Sequence, residues 1–131
     1  MNGPSQSSSR VVTAPVRLIE FDTAVRDAIA ELIQLCGLPV KSYFRGCDFL
    51  ADFENFPTRC VLCASELPDT RGIEVFQSVM AMQPETPFAL LVSRRVDATL
   101  AEARSARVMQ ILNKPMIDTD QLLDFVGAVS T

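Results

Sequence analysis

The chain has 131 residues, of which 48% are hydrophobic, and its formal net charge is −4. This length fits one domain, and the hydrophobic fraction is enough for a buried core, which excludes a wholly disordered chain. The sequence contains no histidine and no tryptophan, which excludes Ser–His and Cys–His catalysis and histidine-ligated zinc. Its acidic pI of about 4.7 indicates no direct contact with nucleic acid.

The first 15 residues are rich in serine, include the pair Gly3-Pro4 and end in Pro15. This composition predicts a disordered tail, followed by one domain over residues 16–131. Apolar runs are shorter than the ~18 residues of a membrane span, so we expect no membrane segment. The start also lacks the apolar stretch of a signal peptide, and we expect a cytoplasmic location.

From residue 16 onward, strand patterns alternate with helix patterns. Short apolar runs predict strands over residues 16–20, 40–44, 60–64, 88–92 and 108–112. The first helix follows Asp22 as N-cap and ends before Gly37 and Pro39. Its apolar positions have helical spacing and comprise Val25, Ala28, Ile29, Leu32, Ile33 and Cys36.

The remaining helices follow the other four strands. A helix of about ten residues is predicted to bury Phe49, Leu50 and Phe53. The next contains Ile73, Phe76, Val79 and Met80, and a weakly amphipathic helix spans 97–106. The last begins at Asp118, which forms a capping-box pattern with Gln121, and buries Leu122, Phe125, Val126 and Val129.

Five β-α units of this length predict an α/β fold, a doubly wound five-stranded parallel sheet with helices on both faces. In such sheets the functional crevice lies at the carboxyl ends of the strands. We therefore expect any site near residues 20–22, residues 64–66, Ser93 and Lys114.

Four cysteines occur, at Cys36, Cys47, Cys60 and Cys63. The last two form a C-x-x-C pattern, but they lie in an apolar, strand-like run, where positions i and i+3 point to opposite faces. We expect four buried, reduced thiols that behave as small hydrophobic side chains. A redox sensor that uses Cys60 or Cys63 is the alternative.

The (βα)5 pattern, the loop from Leu67-Pro68 to Gly72 and the Lys114-Pro115 pair resemble a bacterial response-regulator receiver domain of the FixJ/NarL type. The resemblance implies the CheY-like, flavodoxin-like three-layer fold. Receiver domains carry an acidic pair after the first strand and a phosphoacceptor aspartate after the third. They also carry a hydroxyl residue after the fourth strand, and a lysine after the fifth.

The resemblance places these functions on particular residues of this chain. Pro68 and Gly72, four and eight residues after the phosphoacceptor position in the family, place that position at Ala64. Arg26 matches an arginine six residues after the first acid, which puts the acidic pair on Glu20 and Phe21. The other matches are Ser93 for the hydroxyl, Lys114 for the lysine and Ile111 for the switch aromatic.

Alanine cannot accept a phosphoryl group, and phenylalanine cannot bind Mg²⁺. The resemblance is therefore to a degenerate receiver, a pseudo-receiver in which Mg²⁺ binding is lost or weak and no other cofactor is expected. A shift of one residue would put Cys63 or Ser65 at the site, and neither restores the aspartate. Asp69 lies beyond Pro68 and is a poor replacement.

Each retained residue also has a purely structural interpretation. Glu20 is either a site carboxylate or a solvated strand end, and without the aspartate we expect it to pair with Lys114. Ser93 is either a relic of the switch or a cap. Phe21 is expected to cover the vacated pocket with apolar surface. Mimicry of a phosphorylated state by the carboxylate of Glu66 is an alternative role for this site.

We expect a non-enzymatic signalling module that acts by phosphorylation-independent contact with a protein partner or a second copy. The expected surface comprises the helix at 97–106, the fifth strand and the last helix, where basic and acidic residues are mixed. A C-terminal output domain would follow in a longer protein. A small-ligand-binding domain built on Glu20, Glu66, Ser93 and Lys114 is the alternative, besides the redox sensor.

Overall fold

In the computed structural model, the described residues are 14–92, 110–113 and 119–128. The strands are β1 (Val16–Ile19), β2 (Val40–Tyr43), β3 (Cys60–Ala64), β4 (Phe88–Val92) and β5 (Gln110–Asn113). The helices are α1 (Thr23–Leu35), α2 (Gly46–Asp52), α3 (Gly72–Met82) and α4 (Thr119–Ala128), with a 3-10 turn at Phe53–Asn55. The predicted helix at 97–106 lies outside the described residues.

The five strands form one parallel sheet in the order β2-β1-β3-β4-β5. The strand order reverses at β1, because β2 lies on one side of β1 and β3 to β5 lie on the other. This reversal is the topological switch point of a doubly wound sheet. The predicted fold class is therefore confirmed. The carboxyl ends of β1, β2 and β5 each differ from the predicted ones by one residue.

Helices cover the two faces of the sheet, and each face has its own core. The first core packs α2, the 3-10 turn and α3 on one face, with Ile19, Cys63 and Leu90 among its strand residues. The second packs α1 and α4 on the other face around strand residues that include Leu18 and Leu62. Strands β3 and β4 are buried along their whole length, as the unbroken apolar run of a central strand indicates.

Helix α1 buries Ile29 and Ile33, and Val25 and Leu32 pack partly against the core. Ala28 and Cys36 are exposed, so the predicted apolar stripe is too wide. Cys36 is the C-cap, one residue after the helix ends, and it therefore lies outside the helical periodicity. Gly37 follows with a φ of 85°, the conformation for which glycine is favoured at this position.

Two described residues precede the predicted start of the domain at residue 16. Ala14 is buried, and the carbonyl of Pro15 accepts a 2.9 Å hydrogen bond from the backbone N–H of Arg59. At least two residues assigned to the tail by composition therefore pack against the domain. No described helix has the length and hydropathy required to cross a membrane.

Candidate functional site

The strand register brings two predicted site residues together at the carboxyl edge of the sheet. Ile19 of β1 pairs with Cys63 of β3, so the next residues along these parallel strands, Glu20 and Ala64, are neighbours. Both are fully buried. The position assigned to the phosphoacceptor therefore presents a buried methyl group beside a buried carboxylate.

The carboxylate of Glu20 is held by the turn that connects β1 to α1. Its Oε2 accepts a 3.0 Å hydrogen bond from the backbone N–H of Asp22. Asp22 is the N-cap of α1, as predicted, and its Oδ1 accepts from the N–H of Val25 at 3.2 Å. The interpretation of Glu20 as a solvated strand end is wrong, because the residue is fully buried and its carboxylate accepts a hydrogen bond from the following turn.

Phe21 and Phe44 follow β1 and β2 at the same edge, and each is 48% exposed. Arg26 connects the two strand ends, because its Nη1 donates to the Glu20 carbonyl at 2.9 Å and its guanidinium carbon lies 5.5 Å from the Phe44 ring centroid. Phe21 is thus half exposed and half buried, and its role as an apolar cover of the site stays a prediction.

The loop after β3 is fixed closely against Ala64. The backbone N–H of Gly72 donates to the carbonyl of Ser65 at 2.8 Å. A Cβ atom at Gly72 would lie 2.3 Å from the Ala64 carbonyl oxygen and 2.8 Å from Leu90 Cδ1. Only glycine permits this approach, which explains the glycine at the end of the predicted loop.

Two of the four other predicted site residues lie within the described part of the chain, and two lie outside it. Ser93 and Lys114 directly follow β4 and β5 and lie outside the described residues, as does the expected ion pair between Lys114 and Glu20. Ile111 pairs with Leu90 in the sheet. Glu66 is exposed and forms an isolated antiparallel bridge with Arg71.

Over residues 14–92, 110–113 and 119–128, no three Asp, Glu, Cys or His side chains are grouped closely enough to hold a metal ion. The side chains of Phe21 and Ala64, at two of the positions that the resemblance assigns to this site, carry no oxygen.

The cysteines divide into two buried and two exposed thiols. Cys60 and Cys63 are buried, as predicted, whereas Cys36 and Cys47 are exposed, so the expectation of four buried thiols is wrong for these two. Burial raises the pKa of Cys60 to about 12. A thiol of this kind is not ionised at neutral pH and reacts slowly, which weighs against a redox sensor built on the C-x-x-C pair.

A cavity of about 360 Å³ lies at the opposite, amino-terminal edge of the sheet, beside the starts of β3 and β4. Its lining comprises Thr58, Gln83, Pro84, Glu85, Thr86 and Pro87. The cavity shares no residue with the ligand site that was considered around Glu20 and Lys114.

Arg17 on β1 carries a buried charge that was not predicted from the sequence. Its side chain is fully buried and packs on the same face as Ile19. Nη2 donates to the carbonyls of Phe53 and Phe56 at 3.0 and 2.8 Å, and the guanidinium carbon lies 5.8 Å from the ring centroids of Phe49, Phe53 and Phe56. Carbonyl oxygens and aromatic faces thus surround the cation.

Tyr43 links this buried cation to a carboxylate at the surface. Its hydroxyl accepts a 3.1 Å hydrogen bond from Arg17 Nη1 and donates one of 2.6 Å to Asp52 Oδ2. The bond from Tyr43, and a second from Asn55, hold the pKa of Asp52 below its ordinary value. The signal in the sequence was an arginine inside an apolar strand pattern, which predicts either an edge position or a buried network of this kind.

A doubly wound sheet of this strand order, with its candidate site at the carboxyl edge, defines a CheY-like fold. The family model described as "Response regulator receiver domain" matches residues 16–126. The chain belongs to this family. Receiver domains are generally signalling domains without enzymatic activity of their own.

Among curated proteins, the chain is similar to the response regulator protein TmoT of Ectopseudomonas mendocina. The two are 25% identical over 117 residues, which are 88% of this chain and 51% of that protein. The chain therefore spans about half the length of this relative.

Among solved structures, the chain is similar to a CheY-like receiver domain from Methanospirillum hungatei. The TM-score is 0.81 at 19% identity, with 89% of this chain and 93% of that one covered. It is also similar to FixJ-N, with a TM-score of 0.78 at 20% identity and coverage of 89% and 93%. At these identities the likenesses establish the fold and leave the FixJ/NarL type as a prediction.

Proposed function

We propose that this chain is an atypical receiver domain of the FixJ/NarL type that has no phosphoacceptor aspartate and signals by phosphorylation-independent protein contact. The observation that carries the proposal is Ala64, a buried methyl group at the end of β3 beside Glu20. A methyl group has no oxygen to accept a phosphoryl group. The phosphorylation that switches an ordinary receiver therefore cannot occur at this position.

The loop geometry supports the assignment of the phosphoacceptor position to Ala64. Gly72 packs directly against the Ala64 carbonyl, and Ser65 N–H donates to the Leu91 carbonyl of β4 at 2.7 Å. Cys63, one residue earlier, belongs to the core between the sheet, α2 and α3. A shift of one residue in either direction still brings no carboxylate to the site.

We propose that Mg²⁺ binding is lost or weak and that no other cofactor replaces it. Glu20 supplies the one carboxylate among the three positions assigned to the metal and the phosphoryl group, and its Oε2 already accepts from Asp22. One carboxylate beside two apolar side chains is a poor Mg²⁺ site, since this ion relies on several oxygen ligands in octahedral geometry.

The proposed partner is a protein or a second copy of the chain, bound through the surface formed by residues 97–106, β5 and α4. Receiver domains often work with C-terminal output domains, and the TmoT relative is about twice the length of the matched region. We therefore propose that such a domain follows in a longer natural protein. The domain itself is proposed to contact neither nucleic acid nor membrane, and to act in the cytoplasm.

The proposal is tested by incubation with acetyl phosphate and Mg²⁺, read by intact mass. We expect no phosphoryl adduct and no effect of Mg²⁺ on the spectrum of the wild-type chain. A Mg²⁺-dependent adduct of one phosphoryl group would refute the assignment at Ala64 and return the chain to the ordinary phosphorelay class.

A double variant provides the matched comparison. F21D/A64D restores both missing carboxylates at the assigned positions, whereas F44D/A64D places the first one directly after the neighbouring strand β2, at a residue with the same 48% exposure. We expect an adduct with F21D/A64D and little or none with F44D/A64D. Equal labelling of the two would show that Phe21 does not occupy the metal-binding position.

A further inference from the structure

Asp69, in the loop between β3 and α3, binds the beginning of α2. Its Oδ1 accepts from the backbone N–H of Gly46 at 3.0 Å, and its Oδ2 accepts from the N–H of Cys47 at 2.9 Å. The N-cap residue of α2, Arg45, makes no side-chain capping bond. The carboxylate that satisfies this helix start therefore comes from a residue 23 positions away in the chain.

Side-chain packing fits the same contact. A Cβ atom at Gly46 would lie 2.6 Å from Thr70 Cγ2 and 3.0 Å from Val75 Cγ2. The absence of a side chain at Gly46 thus lets the loop lie directly on the first turn of α2. Leu67 of the loop also reaches this point, since its Cδ1 would lie 3.5 Å from that Cβ.

The loop is braced internally from one end to the other. Leu67 N–H donates to the Thr70 carbonyl at 3.0 Å, and Gly72 N–H donates to the Ser65 carbonyl at 2.8 Å. Between them, Glu66 and Arg71 form an antiparallel bridge. Residues 65–72 therefore form one unit that begins directly after Ala64, and the two bonds of Asp69 attach this unit to α2.

We infer that Asp69 is a positioning residue, whose two hydrogen bonds to α2 hold the loop beside Ala64 in one arrangement without a metal or a phosphoryl group. We call this contact the Asp69 clamp. The inference rests on the proposed function, because it explains how a receiver without its switch keeps a constant surface at the carboxyl edge. Opening of the clamp is the step that would change that surface.

The test is amide hydrogen exchange of the whole chain, followed residue by residue with NMR. Asp69→Ala removes both acceptors, whereas Asp48→Ala removes an acidic side chain from the first turn of the same helix, where its Oδ1 lies 3.9 Å from Cys47 Sγ. We expect roughly three- to tenfold faster exchange with D69A in residues 46–49 and 65–72, the size of effect common on loss of a helix cap. With D48A, we expect the loop to be unchanged.

Asp69→Asn supplies a graded variant, since the amide oxygen of asparagine can accept one N–H while its NH₂ group cannot accept the other. Loop exchange is expected to rank wild type, D69N and D69A in increasing order. The amide proton shifts of Gly46 and Cys47 are expected to move upfield in D69A as the charged acceptor is lost.

Two results would overturn the inference. Faster exchange in α2 with an unchanged loop would show that Asp69 caps the helix without positioning the loop. A uniform increase over the whole domain would show a general loss of stability. Neither result depends on phosphorylation: a phosphoryl adduct on the wild type would refute the proposed function and leave this exchange pattern in place, and the reverse also holds.

Discussion

The hydroxyl of Tyr43 stands between a buried cation and a surface carboxylate, where it accepts from Arg17 Nη1 at 3.1 Å and donates to Asp52 at 2.6 Å. Arg17 is fully buried, and its Nε has no hydrogen-bond partner among the described residues. The buried guanidinium is therefore stabilised by its remaining acceptors. Of these, the tyrosine hydroxyl is the one that is itself hydrogen-bonded to a negatively charged group.

Removal of this hydroxyl is expected to destabilise the domain. Tyr43→Phe leaves Arg17 Nη1 without its acceptor in a buried position, which should lower the free energy of unfolding by about 1–3 kcal/mol. The measurement is urea denaturation. Ser42→Ala on the same strand alters an exposed side chain and should stay within about 0.5 kcal/mol of the wild type. Equal effects of the two substitutions would contradict a specific role of the hydroxyl.

The same network predicts an unusual titration of Tyr43. Burial and the hydrogen bond to Asp52 raise the pKa of Tyr43 from 10.0 to about 12. Tyr43 is the single tyrosine of a chain without tryptophan, so its phenolate absorbance reports this residue alone. Asp52→Asn should lower the pKa but leave it above 10.0, because the desolvation persists. A midpoint near 10.0 in the wild type would show that the hydroxyl is free.

The direction of the pH effect on stability follows from this shift. The unfolded chain releases the tyrosine proton near pH 10, whereas the folded chain keeps it up to about pH 12. The contribution of Tyr43 to stability is therefore complete below pH 10 and is lost progressively as the pH rises towards 12. Urea denaturation of wild type and Y43F between these limits should converge, and a constant difference would exclude the linkage.

Two glycines give a sharp contrast in substitution by alanine. Gly72→Ala should destabilise the domain by about 1–3 kcal/mol, since the new Cβ would meet the Ala64 carbonyl oxygen at 2.3 Å. Gly127→Ala, within α4, meets no atom within 4 Å and should be neutral or stabilising by up to about 1 kcal/mol. Thermal or urea unfolding distinguishes them, and a tolerated G72A would mean that the loop relaxes away from Ala64.

Native thiol labelling should modify two cysteines of the four. Cys36 and Cys47 are exposed, whereas Cys60 and Cys63 are buried. Cys47 should react more slowly than Cys36, because its hydrogen bond to Asp69 and partial desolvation raise the pKa of the Cys47 thiol. Intact mass after timed addition of iodoacetamide, followed by peptide mapping, measures both rates. Rapid modification of Cys60 or Cys63 in the native chain would revive the redox-sensor alternative.

Much of the fold was predictable because the spacing of apolar residues and the residues that end a helix determine secondary structure from the neighbouring sequence. The limits of β3 and β4 were predicted to the residue, since Cys60–Ala64 and Phe88–Val92 are unbroken apolar runs. The capping role of Asp22 was also predicted, because the donor lies three residues along the chain. Such features need only the neighbouring sequence.

The misses concern contacts between distant segments. One of the two interpretations of Glu20 was a solvated strand end, yet the residue is fully buried and accepts a hydrogen bond from Asp22. Asp69 looked like an ordinary loop residue, yet it caps a helix 22 and 23 residues earlier. The buried network of Arg17 was not predicted, because the carbonyls that bind it belong to residues 53 and 56. In each case the polar partner is supplied by tertiary structure, which spacing along the chain does not encode.

Arg59, directly before β3, connects the sheet to the last described helix, α4, through a hydrogen bond. Its Nε donates to the carbonyl of Val126 at 3.1 Å, and its side chain is buried. A cation at the carboxyl-terminal end of a helix also interacts favourably with the negative end of the helix dipole. Fraying of α4 from that end is therefore coupled to the sheet. When Val126 unwinds, the guanidinium of Arg59, at the start of the strand that ends in Ala64, loses an acceptor.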